Sequence, residues 1–215
     1  MKRMFSIFVT TVLLTISTGI VFADGLKVDG YVGIDEEPNI VTFTGVKSFA
    51  YNTSLFAFVD FISEEKSEGG DNYNLARFYG EAKLTKVLWE KYGQWGMVVE
   101  LDDGSVAKSL FRSGVSYCPS FLKPFNFLIR FLPYRSDNIG GQISISFHYP
   151  IFDWLFLEGW SDYNYLYGQK NTYIAEPQLG IKLRQNLYFI AEYRINCNPK
   201  GEIVDDLGLG LEYRF

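Results

Sequence analysis

Cysteine and histidine are almost missing from this chain: Cys118, Cys197 and His148 are all that 215 residues contain. Two distant thiols cannot staple a small secreted scaffold, and with one imidazole they lack the spacing of a zinc site. Positive charge is also short, with 20 Lys and Arg against 25 Asp and Glu, so there is no basic footprint for nucleic acid. No Gly-rich phosphate loop occurs, because "LGLGL" at 207–211 belongs to an alternating stretch with no helix after it. Neither a cofactor nor a metal is expected. Long apolar runs are missing beyond residue 23, which excludes a helical span of ~20 residues in the remainder of the chain.

What the chain has in excess is aromatic side chains, 19 Phe and 15 Tyr with 4 Trp. It also has a distinctive beginning. Lys2 and Arg3 precede an apolar run from Met4 to Leu14 and then "STGIVFA", with Val21, Phe22 and Ala23 in an A-x-A-like pattern before Asp24. This predicts a secretory signal peptide over 1–23, cleaved to leave a single domain over 24–215. Polar Ser and Thr interrupt the run too early for a membrane anchor.

Alternation dominates the rest. Leu207, Leu209, Leu211, Tyr213 and Phe215 share one parity, whereas Gly208, Gly210, Glu212 and Arg214 share the other. As a strand, one face is apolar and the other small or charged. Twelve such segments of roughly ten residues are predicted, the signature of transmembrane strands. They lie at 26–34, 40–50, 54–62, 73–85, 93–102, 108–117, 124–132, 139–149, 153–164, 172–183, 186–196 and 204–215. The predicted fold class is therefore all-β, a closed antiparallel transmembrane β-barrel of twelve strands, with ten the alternative count. An even number places both termini on the periplasmic side, and the long stretches "SEEKSEGGDNYN", "PYRSDNIGG" and "NPKGEIVDD" then fall on the outside. "TKVLWEKYGQ" and "CPSFLKP" read as turns too long for the periplasmic side, so the register around them is open. On this topology Cys118 and Cys197 sit at opposite ends and cannot be bonded.

The succession "SLFAFVDFI", "ARFYGEAKL", "ISISFHYPI", "WLFLEGWSDYNY", "YIAEPQLGIKL" and "LGLEYRF" resembles the nucleoside-specific channel-forming outer-membrane proteins, the Tsx type. That resemblance implies a narrow twelve-stranded barrel in a Gram-negative outer membrane, passing nucleosides by diffusion. It also implies partners: outer-membrane lipid, periplasmic chaperones, and the barrel-assembly machinery, which reads a terminal aromatic preceded by alternating apolar residues. Leu209, Leu211, Tyr213 and Phe215 are the candidate assembly signal.

Parity assigns the faces independently. If Phe215 points to lipid, Tyr188, Ile190, Glu192 and Arg194 point inward, as do Glu176, Gln178 and Lys182, then Glu158, Trp160 and Asp162, then Gln142, Ser144, Ser146 and His148. Arg77, Tyr79, Glu81 and Lys83, with Phe58 and Asp60, complete the inward set. A nucleoside offers a flat base for stacking and hydroxyls for hydrogen bonds, so the candidate lumen-binding residues are the aromatics Phe58, Tyr79, Trp160 and Tyr188 with the neighbouring carboxylates Asp60, Glu81, Asp162 and Glu192. Two other readings stay open. The charges could pair across a plugged structural or adhesive barrel, or Ser146 and His148 could form a hydrolase pair, against which stands their shared inward parity.

Overall fold

The computed structural model describes residues 24–33, 39–63, 77–90, 93–105, 108–197 and 201–215; the predicted signal peptide lies outside them. Twelve strands follow one another in chain order: β1 (Gly25–Gly33), β2 (Ile40–Phe49), β3 (Thr53–Ile62), β4 (Arg77–Trp89), β5 (Gly93–Gly104), β6 (Leu110–Pro119), β7 (Leu128–Arg135), β8 (Gly140–Phe152), β9 (Leu155–Leu166), β10 (Thr172–Lys182), β11 (Leu187–Cys197) and β12 (Ile203–Arg214). Each pairs antiparallel with the next, and β12 returns to β1, with Lys27 opposite Arg214 and Gly33 opposite Gly208, so the sheet closes and leaves no edge.

The alternation read in the sequence is what sorts the two faces. Leu209, Leu211, Tyr213 and Phe215 face outward, Leu211 at 52% and Phe215 at 69% exposure, whereas Glu212 between them is 0% exposed. The same holds along β11, where Tyr193 faces out and Ile190 and Glu192 are buried. An outward surface carrying Leu84, Met97, Val99, Leu101, Phe131, Ile143, Leu179 and Leu207 is far more apolar than water permits, and it matches the apolar band of a membrane barrel.

Aromatic pairs ring both ends of that band. At the end that holds the termini, Trp95 stacks on Tyr117 at 4.3 Å, Phe152 on Trp154 at 5.6 Å, Phe125 meets Tyr149 at 5.0 Å and Tyr213 meets Phe215 at 4.7 Å. At the other end stand Phe111 and Tyr134, 6.1 Å apart, with Tyr163, Tyr167 and Tyr173 exposed nearby. Rings with a polar handle sit well where hydrocarbon meets head groups, which accounts for the aromatic excess.

Five connections differ from the sequence expectation. "TKVLWEKYGQ" is no long turn, because β4 runs on to Trp89 and β5 starts at Gly93, with an irregularity between Val87 and Trp89. "CPSFLKP" supplies the end of β6 and a 3₁₀ turn, Ser120–Phe125, closed by Asn126 in the left-handed region at φ 46°. The outer connections after β7, β9 and β11 are shorter than predicted. β7 extends to Arg135, opposite Arg112, and β12 already begins at Ile203, opposite Cys197, because cross-strand pairing continues past the apolar band.

Cys118 is the last but one residue of β6, at the end where β12 finishes, and Cys197 closes β11 at the opposite end, both as free thiols. In whole cells an impermeant maleimide should therefore label Cys197 and spare Cys118, and non-reducing mass spectrometry should find no intramolecular disulfide. Equal labelling of both would contradict the strand count.

Candidate lumen site

The inward side chains fall into groups that parity alone could not assemble. Near the termini, Lys27 on β1 donates to Glu158 on β9 and to Glu212 on β12, each at 3.1 Å, with Asp29 at 3.5 Å. Glu158 also meets the Nδ1 of His148 at 2.8 Å and the guanidinium of Arg214 at 3.4 Å. Since β1 and β9 are separated by three strands of the closed sheet, the Lys27 to Glu158 contact reaches across the lumen. Arg214 pairs with Glu212 and lies over the rings of Phe156 and Tyr188, at 4.4 and 4.7 Å. Glycine at 180 leaves room for this arrangement, because a Cβ there would meet the Phe156 ring at 2.0 Å.

Along β4, β5 and β6 the charges alternate in sign. Lys83 bridges Glu81 and Glu100, and Arg112 bridges Glu100 and Asp102, the two longer contacts being 3.2 and 2.8 Å. Carboxylate oxygens of Glu81, Glu100 and Asp102 come within 4.8 Å of one another, the spacing a divalent cation would use. Lys83 and Arg112 already pair with them, so a metal would have to displace two paired cations. On a third stretch Arg194 binds Glu192, lies 3.8 Å from Glu176 and sits over the ring of Tyr31 at 5.5 Å.

The predicted binding residues all face the interior but do not converge on one point. Phe58 and Tyr79 meet ring to ring at 5.8 Å on neighbouring β3 and β4, where the Tyr79 hydroxyl donates to Glu81 at 3.3 Å and Asp60 accepts from Thr42 at 2.6 Å. Trp160, Asp162, Tyr188 and Glu192 stand on β9 and β11, the far side of the closed sheet. The four aromatics therefore occupy two walls. Ser146 accepts a long hydrogen bond from Arg130 at 3.4 Å and His148 engages Glu158, so the two members of the considered hydrolase pair are used in separate contacts.

Sequence reasoning did not single out Lys27, Asp29, Glu100, Asp102, Arg112, Arg130 or Asp206. Their signal was the same parity, obscured on β5 to β7 by the unsettled turns. Among the described inward groups, carboxylates (Asp29, Asp60, Glu81, Glu100, Asp102, Glu158, Asp162, Glu176, Glu192, Asp206 and Glu212) outnumber cations (Lys27, Arg77, Lys83, Arg112, Arg130, Arg135, Lys182, Arg194 and Arg214) by a narrow margin. Several buried polar atoms here find no hydrogen-bond partner in the protein: both amide atoms of Gln142, Oδ1 of Asp162, Asn164 and Asp206, and Nε2 of Gln178. At the loop end a pocket of about 610 Å³ opens among Tyr134, Arg135, Ile139, Tyr165, Tyr167 and Asn171. Beside it Arg135 hydrogen-bonds Asp137 at 2.6 and 2.8 Å, which holds that carboxyl below the usual range.

The architecture recurs among solved structures. A KdgM porin matches with a TM-score of 0.59 at 11% identity, over 89% of this chain and 99% of that one. A KdgM porin in complex with disordered oligogalacturonate gives 0.56 at 11% identity over the same shares. A structure from a study of the in-meso crystallization of membrane proteins gives 0.51 at 13%, over 89% of this chain and 82% of that one. No protein-family model and no curated protein matches the sequence. What the chain shares with these proteins is the fold, a closed twelve-stranded antiparallel barrel of the porin type.

Proposed function

We propose that the protein is an outer-membrane channel for the passive diffusion of nucleosides or similar small solutes, inserted in the membrane through recognition of Leu209, Leu211, Tyr213 and Phe215. The observation that carries the channel reading is the set of unpartnered polar atoms facing the interior. Buried donors and acceptors in folded proteins are hydrogen-bonded with few exceptions, and each one left bare costs about 1–3 kcal/mol. Gln142, Asp162, Asn164, Gln178 and Asp206 would together carry a penalty that marginal stability does not tolerate, so they take water or a polar solute as partner. Inward polar groups that need water as a partner support a hydrated interior and, with it, the channel reading.

Charge narrows the solute. An excess of carboxylates in a low-dielectric wall attracts cations, admits neutral molecules and repels anions. The neighbour solved with oligogalacturonate therefore does not supply the substrate, since a chain of uronates would meet Glu158, Asp162, Glu176 and Glu192. Neutral nucleosides fit this interior, with Trp160 and Tyr188 available for stacking.

A second reading, a plugged structural or adhesive barrel, is favoured by the complete burial of inward Leu132 and Ile190 and by the Lys27 to Glu158 contact across the lumen. Planar-bilayer recording of the purified protein separates the two. The channel reading expects steady openings whose reversal potential in a KCl gradient shows cations preferred over anions, and partial block by a nucleoside. Silence across many insertions, with the barrel folded by gel mobility, would establish the plug.

A further inference from the structure

Near the loop end the sheet parts between β7 and β8. The two strands pair from Leu128 opposite Ser146 up to Leu132 opposite Gln142 and no further, although β7 runs on to Arg135 and β8 begins at Gly140. Each stays tied to its other neighbour. Arg135 lies opposite Arg112, and Ser136 donates its main-chain N–H to Phe111 at 2.9 Å, while Gly140 and Gly141 lie opposite Leu166 and Tyr165. Pro133, which has no N–H, stands on β7 just where the pairing stops. The wall is therefore notched, and the pocket of about 610 Å³ lies in the notch, lined by Pro133, Tyr134, Ile139, Tyr165, Leu166 and Tyr167. Glycine at 141 lets Tyr165 form the floor, because a Cβ there would run into the Tyr165 hydroxyl.

The polar side chains around the notch are spent on one another. Arg135 donates from Nε and Nη2 to the two carboxylate oxygens of Asp137. The Asn138 side-chain carbonyl accepts from the N–H of Ile139 at 2.8 Å, and Asn171 accepts from the N–H of Leu166 at 3.3 Å and donates to the Tyr163 hydroxyl at 2.6 Å. What is left to a ligand is mainly ring and aliphatic carbon. The notch also continues the membrane surface: Phe131 and Ile143, paired across β7 and β8 just below it, belong to the outward apolar band, and Tyr134 stands with Phe111 in the aromatic ring above.

We propose that this notch binds an acyl chain of a membrane lipid from the leaflet at the loop end, laid against Tyr165 between Tyr134 and Tyr167. The continuity with the apolar band names the source, and the spent polar groups select the tail rather than the head. A phosphate or a sugar would need free donors or net charge, which Arg135 does not offer while it holds Asp137. Tyrosine faces and aliphatic side chains pack against hydrocarbon, and a gap without an occupant forfeits those contacts on every wall. The volume falls within the about 300–1,000 Å³ of sites that take a whole small ligand. Because the notch belongs to the membrane side of the wall, the proposal does not depend on conduction.

The experiment is photo-crosslinking of the full mature protein, folded into phosphatidylcholine vesicles containing a trace of the same lipid with a diazirine on its acyl chain, with adducts mapped by mass spectrometry. Adducts on 133–140 and 165–167 should exceed those on the outward residues of β12, Leu207, Leu209 and Leu211, by roughly two- to tenfold, the scale of one or two aromatic contacts. Tyr165→Ala should bring the two yields close together. Ile139→Asp should do the same, and since Ile139 is 73% exposed at the rim this variant keeps the test available if Tyr165→Ala does not fold by heat-modifiable mobility. Equal yields on the notch and on β12 in the unaltered protein would mean ordinary lipid contact and overturn the site. Enrichment that Ile139→Asp leaves unchanged in a folded barrel would also overturn it. Enrichment seen with a phosphatidylglycerol probe but not with phosphatidylcholine would replace the tail by an anionic head group. Suppression of the notch adducts by added sucrose would replace the lipid by a soluble saccharide.

Discussion

Exchanging residues 211 and 212, so that Leu211→Glu and Glu212→Leu are made together, should abolish stable barrel formation although composition and length are unchanged. Leu211 faces outward and Glu212 is fully buried inside. The exchange places a carboxylate on the apolar band, where an ionised group is disfavoured by up to the about 2–4 kcal/mol measured for cations at the midplane. At the same time Lys27 loses an acceptor at 3.1 Å and Arg214 loses its neighbouring carboxylate, and removing one partner of a buried pair costs about 3–5 kcal/mol. Both losses fall on the seam between β12 and β1, where Gly30 lies opposite Leu211 and Asp29 opposite Glu212. A seam that does not close leaves main-chain groups bare in lipid. The measurement is heat-modifiable mobility together with urea titration in vesicles. Leu211→Phe alone, which keeps the face apolar, should shift the midpoint little. If the exchanged protein folds with a near-normal midpoint, the outward face of β12 is not the membrane face.

The same two residues show why so much of this fold could be read in advance. Lipid on one side and polar side chains on the other impose a strict period of two, and a charged residue in the wrong parity costs more than local propensity can offset. That is why β10, predicted at 172–183, is found as Thr172–Lys182, and β11, predicted at 186–196, as Leu187–Cys197. Where parity was blurred the reading faltered. Around "TKVLWEKYGQ" the strand continues through an irregularity at Val87 and Trp89, and around "CPSFLKP" a 3₁₀ turn with Asn126 in the left-handed region replaces a simple loop. Neither a bulge nor a single positive φ leaves a periodic trace.

The site was legible in direction but not in company. Parity sent Glu158 inward, and nothing in the sequence says that its partners are Lys27, His148 and Arg214, separated from it by 131, 10 and 56 positions. Those contacts follow from closure of the sheet and the stagger between strands, which are global properties. The predicted aromatics illustrate the same limit. Phe58 and Tyr79 were adjacent in the expected order and do touch, whereas Trp160 and Tyr188 turned out to belong to the far wall. Gln142 and Gln178 were assigned inward for their parity alone; what distinguishes them, amide atoms left without a partner, exists only once the neighbours are in place.

Arg112→Met should destabilise the barrel by about 3–5 kcal/mol, because Glu100 and Asp102 would be left facing each other with one counter-ion fewer in a wall where both are almost fully buried. Neutralising the orphan as well, with Glu100→Gln added to Arg112→Met, should recover a good part of the loss, which a double-mutant cycle by urea titration would read directly. The pair should also be insensitive to salt, since screening acts weakly on buried charges. Lys47 and Asp24, 3.0 Å apart but exposed at the end of the barrel, give the comparison: Lys47→Met should leave the midpoint unchanged within error. The contrast bears on conduction. If the β4 to β6 wall is dry and rigid, solutes must pass elsewhere along the interior, and Arg112→Met should cost its full amount. Should Arg112→Met instead cost as little as Lys47→Met and vary with salt, the whole interior would be as wet as the surface, and the path would be a wide aqueous pore with no preferred wall.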